Sequence, residues 1–195
     1  FSYLRVRKRS EKRGFLWLAL GLSLLPLIFT KVSVFVPELS IFSMLGISYV
    51  SFRAVQILVE IYDGHLTKLH ALDVSYFLLF FPSILSGPID RFQRFSGDLE
   101  KTRSAAEYEV LLKEGLWRLA TGALYNFVLG NLIWQYIVSR MPDNFLGTLG
   151  YMYGYTLFMF FNFAGYSRMA IGTAYLLGIE QPENFNRPFL SVDMK

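Results

Sequence analysis

The chain contains no cysteine. Disulfides, thiolate metal sites, cysteine nucleophiles and palmitoylation are excluded together, while the compartment is left open. Histidine is nearly as scarce. His65 and His70 both fall in DGHLTKLHALD, five apart and so on different helical faces. No third ligand stands near them, and they read as solvated loop residues rather than a metal site. Charge is sparse too, at 17%, below the roughly 25% usual in soluble domains. H-E-x-x-H, P-loop and G-x-G-x-x-G patterns are missing. GYSRM carries Gly165 and Ser167, but Met169 stands where a nucleophile elbow needs its last glycine. With both histidines in one loop, no Ser/His/Asp set can be assembled. There is no internal repeat, low-complexity tract or evident linker.

What is present is apolar. Hydrophobic residues make up 53% and aromatics 17%, with a mean hydropathy of +0.37. A membrane span needs about 20 mostly apolar residues, or about 17 at the short end. Residues 14–30, 41–62, 119–138 and 146–179 satisfy this, and 74–89 lies at the margin. The expectation is an all-α polytopic membrane protein. Hydrophobic segments keep coming after the first, which argues against a signal peptide. RVRKRSEKR, residues 5–13, holds six basic residues and one acid. Directly before an apolar segment it reads as a cytosolic, positive-inside flank rather than a nucleic-acid patch. The sequence opens on Phe1 and stops at Lys195 in mid-pattern, so residues 1–195 read as an internal piece of a single membrane domain.

GISYVSFRAVQILVEIYDG carries Gly46, Tyr49, Arg53, Gln56, Glu60 and Asp63 at spacings of 3 and 4. They form one stripe of a helix. Ser48 and Ser51 lie off it, where hydroxyls bond back to helix carbonyls. A charge facing lipid costs about 2.5 to 3.5 kcal/mol, so the stripe faces protein or water. It serves either as glue between helices or as the polar wall of a cavity. Further on, FFPSILSGPIDRFQRF breaks on Pro82, Gly87 and Pro88 and leaves on Asp90 and Arg91. This predicts a broken or re-entrant segment, tolerated only where protein or water satisfies its backbone.

SAAEYEVLLKEGLWRL predicts an amphipathic helix lying along the membrane surface before the chain turns in. Ser104 and Glu107 form a capping-box pattern. Tyr108, Leu111, Leu112, Gly115 and Leu119 mark its apolar face, with Glu109/Lys113 and Glu114/Arg118 as i,i+4 pairs. Tyr151, Tyr153 and Tyr155 read as an interfacial aromatic belt. The following helix is expected to stop at Gly178, before Pro182 and Pro188.

Three blocks, GISYVSFRAVQILVEIYDG, FLLFFPSILSGPIDRFQRF and FNFAGYSRMAIGTAYLLGIEQPENFNRPFL, resemble the membrane-bound O-acyltransferase family in order and spacing. They cover about a third of the chain. SGPIDRFQRF resembles the branch of the family, in Gram-positive bacteria, that transfers D-alanyl groups. The resemblance implies a ring of helices around a central funnel in the cell membrane. It implies D-alanyl transfer from the phosphopantetheine thioester of a small acidic carrier protein to lipoteichoic acid, with no tightly bound cofactor and no metal. Other membrane proteins of the same route are implied partners; nucleic acid is not. Another polysaccharide O-acyltransferase or, further off, a transporter are the competing readings. Arg53, Glu60, Asn162, Tyr166 and Ser167 are then expected along the substrate path. Pro82, Gly87, Pro88, Asp90 and Arg91 are expected to form the structural break and to help dock the carrier. Asn184, Asn186 and Arg187 lie in the motif ahead of the catalytic histidine, which is expected beyond Lys195. The 195 residues alone are accordingly expected to be inactive. Related sequences often carry Asp where Asn162 stands, so Asn162 is expected to orient or hydrogen-bond rather than exchange protons.

Overall fold

A computed structural model describes residues 13–33, 46–66, 69–84 and 87–185. The basic run at 5–12, Asn186, Arg187 and Pro188 lie outside them. Every regular element among the described residues is helical, as the sequence predicts. Among them, no helix is long and apolar enough to cross a membrane. The chain divides into two compact units, residues 1–85 with 89–101, and residues 86–88 with 102–195.

The first unit holds α1 (Arg13–Ser33), α2 (Ile47–Tyr62), α3 (Ala71–Leu78) and α4 (Phe92–Leu99). α1 packs against α2. Gly46 begins α2 in a left-handed conformation, φ 85°. A side chain there would also lie 2.9 Å from the Ile84 carbonyl oxygen, so the start of α2 is seated on the chain after α3. The predicted break is present: α3 ends after two turns, and Phe81–Ser83 adds one 3₁₀ turn with Pro82 near its start. α4 then begins after an extended stretch. Phe77, Phe80, Phe92 and Phe95 are buried together. Their rings meet edge-on, with centroids 5.1 to 5.5 Å apart, the geometry that aromatic quadrupoles favour.

The second unit is built on two long helical runs. The first is α5 (Ala105–Ala123), a π-turn (Leu124–Gly130) and α6 (Asn131–Tyr136), without interruption. The other is α7 (Phe145–Leu176). The Ser104/Glu107 capping box forms as predicted, and the Lys113–Glu109 pair closes at 2.6 Å. α5 continues through Leu119 to Ala123 and packs on α7. Gly115 faces Gly172, and Gly122 faces Gly165. A side chain on any of the four would come within 2.7 to 2.9 Å of the partner glycine's carbonyl oxygen. Two such pairs, seven residues apart on each helix, let the backbones touch. Of the predicted apolar face, Leu111 and Gly115 are buried, while Tyr108 and Leu112 stay exposed. α7 stops where expected. The Ile179 amide bonds the Ala174 carbonyl at 2.9 Å and the Gly178 amide bonds Tyr175 at 2.9 Å, a Schellman closure. The chain then doubles back, placing the Phe185 ring 5.3 Å from Phe160 and 5.5 Å from Phe163.

Candidate functional site

Arg53 is 4% exposed. One terminal nitrogen donates to the Phe77 carbonyl at 2.9 Å. The other donates to the Ser83 carbonyl at 2.9 Å and the Ser83 hydroxyl at 2.6 Å. The guanidinium also lies 5.3 Å from the Phe77 ring centre. A helix end leaves carbonyls without intrahelical donors, and here a planar fork from the neighbouring helix supplies them. The break is thus held by an arginine two turns into α2. One turn further, Gln56 Nε2 donates to Glu60 Oε1 at 3.1 Å. Gln56 Oε1 and Glu60 Oε2 are both buried and meet no donor among the described residues.

Asp90 turns inward and is 2% exposed. Its Oδ1 accepts from the Arg91 amide and from Arg94 Nε, each at 2.7 Å, and its Oδ2 pairs with the far nitrogen of Arg94. It thereby fixes the entry to α4. Arg91 and Ile89 point outward; Gly87 and Pro88 are buried and Pro82 is half-buried. His65 and His70 are exposed, and no group of three metal-ligating side chains occurs among the described residues.

In the second unit, α7 carries Asn162, Tyr166 and Ser167. Asn162 is half-buried, Tyr166 is exposed and Ser167 is buried. Asn184, on the returning strand of chain, donates to Ser167 Oγ at 2.7 Å; the structure therefore joins two residues that the sequence named separately. Asn126 was not foreseen. It sits in the π-turn, 6% exposed, and donates to Asn162 Oδ1 at 2.7 Å. π-turns widen a helix locally and recur at functional positions; this one swings an amide across to α7. A lone asparagine in LYNFVLG was the available signal, since a polar group amid apolar neighbours needs a partner.

The segment after α7 is clamped by charge. Arg103 pairs with Glu180 at 3.3 Å. Arg118 pairs with Glu114 at 2.9 Å, as predicted, and also with Glu183; its guanidinium lies 5.1 Å from the Tyr175 ring centre. Burial works against the Arg118 charge, but Glu183, then Tyr175 and Glu114, more than offset it and hold its pKa above the ordinary value. Arg168, also unforeseen as a contact, donates to Thr121 at 3.1 Å and covers the Tyr125 ring at 5.5 Å.

No protein-family model matches the chain. Its sequence is 42% identical over 209 residues to the teichoic acid D-alanyltransferase of Bacillus subtilis, covering 100% of this chain and 52% of that protein. It is 37% identical over 204 residues to the enzyme of the same name from Streptococcus thermophilus, covering 100% of this chain and 49% of the relative. The probable alginate O-acetylase of Pseudomonas aeruginosa is 30% identical over 159 residues, covering 75% of this chain and 28% of that protein. The chain spans about half the length of the curated D-alanyltransferases it matches. The resemblance read from the three sequence blocks is borne out by these matches.

Proposed function

We propose that this chain, a relative of the teichoic acid D-alanyltransferases along its whole length, is part of a membrane-bound O-acyltransferase of a Gram-positive bacterium. It moves D-alanyl groups from a carrier-protein thioester to teichoic acid. The observation that carries this reading is the match of the whole of this chain to about half of each D-alanyltransferase at 37 to 42% identity, against 30% over three quarters of the chain for an alginate O-acetylase. The second reading, O-acetylation of a polysaccharide, draws on that weaker match.

The reaction is an exchange of esters. An acceptor hydroxyl oxygen attacks the thioester carbonyl carbon, the C–O bond forms and the C–S bond breaks. The hydroxyl proton passes through a base to the departing thiolate. The donor is already activated, so the protein's tasks are to bring the two substrates together, to place a base of suitable pKa, and to offer donors to the developing oxyanion. The base is the histidine expected beyond Lys195. Arg53 keeps the break after α3 rigid; Glu60 in the first unit, and Asn162, Tyr166 and Ser167 in the second, are the polar side chains proposed to serve the substrates. Arg91, beside the exposed Ile89, steers the acidic carrier, and the phosphopantetheine arm arrives with the carrier as part of the donor substrate.

The setting is a multi-pass membrane domain. α1 turns Trp17, Leu18, Leu22, Leu25, Ile28 and Phe29 outward. α7 does the same with Met152, Leu157, Met159 and Phe163, together with exposed tyrosines at 151, 153 and 155. Apolar surface on this scale supports burial in lipid or against further helices.

The test uses the full-length protein in sealed vesicles. Carrier charged with labelled D-alanine is supplied on one face and lipid-linked teichoic acid on the other. Label on the acceptor, lost when the downstream histidine is replaced, is expected. Label that stays on a carrier which binds but never reacts, while acetyl-charged carrier does react, overturns the D-alanyl reading in favour of acetylation.

A further inference from the structure

Gln56 Oε1 and Glu60 Oε2 in the first unit are buried, and among the described residues no donor reaches either. The side chains are one helical turn apart and already joined by Gln56 Nε2 donating to Glu60 Oε1. That bond sets both orientations: one amide N–H of the glutamine is engaged, and each residue is left with a bare oxygen. Such groups are uncommon in folded proteins, because an unmet buried acceptor costs about 1 to 3 kcal/mol and more when charged. The two nearest alternatives on the same stripe do not relieve it. The guanidinium of Arg53 is engaged by Phe77 and Ser83. Asp63 is exposed and brings more acceptors rather than donors.

A carboxylate oxygen and an amide oxygen, both without donors, fit a compact cation with several N–H groups. A primary ammonium has three donors and one charge. We propose that Gln56 and Glu60 form a binding site for a primary ammonium, and that its ligand is the α-ammonium of the aminoacyl group being transferred. The inference rests on the D-alanyl reading above and deepens it. A D-alanyl thioester and an acetyl thioester share the reacting carbonyl and the sulfur. Relative to acetyl, D-alanyl adds a methyl and an ammonium, and the charge is the feature on which a carboxylate such as Glu60 can discriminate. Glu60 is thus a specificity-determining residue. It neutralises a charge that is costly to bring out of water alone, and Gln56 takes a second N–H.

The experiment compares two donors on the full-length protein in vesicles: carrier charged with D-alanyl and carrier charged with D-lactyl, in which a hydroxyl replaces the ammonium. Glu60→Gln keeps the shape and removes the charge. It is expected to lower kcat/KM for D-alanyl transfer by about 30-fold, the scale of one charge-assisted hydrogen bond, and to leave D-lactyl transfer within about twofold. Glu60→Asp is expected to recover part of the D-alanyl rate. Gln56→Met retains Glu60 and serves if Glu60→Gln fails to accumulate; its D-alanyl rate is expected to fall about fivefold, again with D-lactyl spared. Equal loss for both donors, or no loss for either, overturns the ammonium site and assigns the pair to a basic side chain elsewhere in the protein. A wild-type protein that moves D-lactyl as readily as D-alanyl overturns it as well, with the acyltransferase intact. A wild-type protein that moves neither donor refutes the transferase reading and this inference together.

Discussion

Replacing Gly122 with alanine reverses the usual sign of that substitution. In an ordinary helix interior, Gly→Ala stabilises by about 1 kcal/mol, because it reduces the freedom of the unfolded chain. At Gly122 the new methyl lies 2.7 Å from Met169 Cγ, 2.8 Å from the Gly165 carbonyl oxygen and 2.9 Å from the Met169 amide nitrogen. Two of those three atoms are backbone and cannot rotate away, so α5 and α7 must part by roughly half an ångström to restore ordinary contact, which forfeits a quarter or more of the dispersion attraction across the seam. The Asn126–Asn162 bond, 2.7 Å long and one turn along, stretches with it. Overpacking of about 1 to 3 kcal/mol and a weakened hydrogen bond of about 1 kcal/mol outweigh the propensity gain. The net loss is about 1 to 3 kcal/mol, a fall in Tm of about 3 to 10 °C for a chain of this size. Gly97, in α4, has nothing within 4 Å of its added methyl and is the control; Gly97→Ala is expected to raise Tm by about 2 °C. Tryptophan fluorescence during thermal unfolding in detergent reads both. Adding Gly165→Ala to Gly122→Ala is expected to cost less than Gly165→Ala alone, since the crossing is already open. If Gly122→Ala stabilises as Gly97→Ala does, the glycine pairs do not set the helix separation.

Two further perturbations address the pinned segments. Arg53→Met removes the guanidinium donors at the Phe77 and Ser83 carbonyls and is expected to destabilise by about 2 to 4 kcal/mol. Arg53→Lys keeps the charge without the fork and loses about half of that; limited proteolysis between residues 79 and 91 reports both, and wild-type resistance in Arg53→Met contradicts the pinning. For the clamp after α7, Arg118→Met and Glu183→Gln are expected to couple by about 0.5 to 1 kcal/mol, held down by the half-exposed carboxylate. Hydrogen exchange at residues 179–185 should rise equally in either single variant and no further in the double; additive increases refute a direct pair.

Local signals were legible wherever one stretch of chain contains its own cause. The Ser104/Glu107 box, the stop at Gly178, the Pro82 break and the i,i+4 pairs of α5 needed no knowledge of the partner helix, and all four are present. Features that depend on a second element were not. The stripe through Arg53 and Glu60 was visible, but what Arg53 holds was not, because backbone carbonyls carry no residue code. The close seating of α5 on α7 follows from Gly115 and Gly122 meeting Gly172 and Gly165. The seven-residue spacing was in the sequence, yet its meaning exists only once two helices are laid side by side. The π-turn is invisible for the same reason: an extra residue in a helical turn leaves the local apolar pattern of LYNFVLG unchanged while re-aiming Asn126.

The pinning of the break also imposes an order on biosynthesis. Arg53 finds its acceptors 24 and 30 residues later in the chain. At about 5 to 20 residues per second, α2 leaves the ribosome with its guanidinium unanswered for roughly one to six seconds. During that interval the nascent segment must keep Arg53 in water or against a chaperoning surface. Only when Phe77 and Ser83 have emerged can α2 settle, so α2 and the break are completed together rather than one after the other.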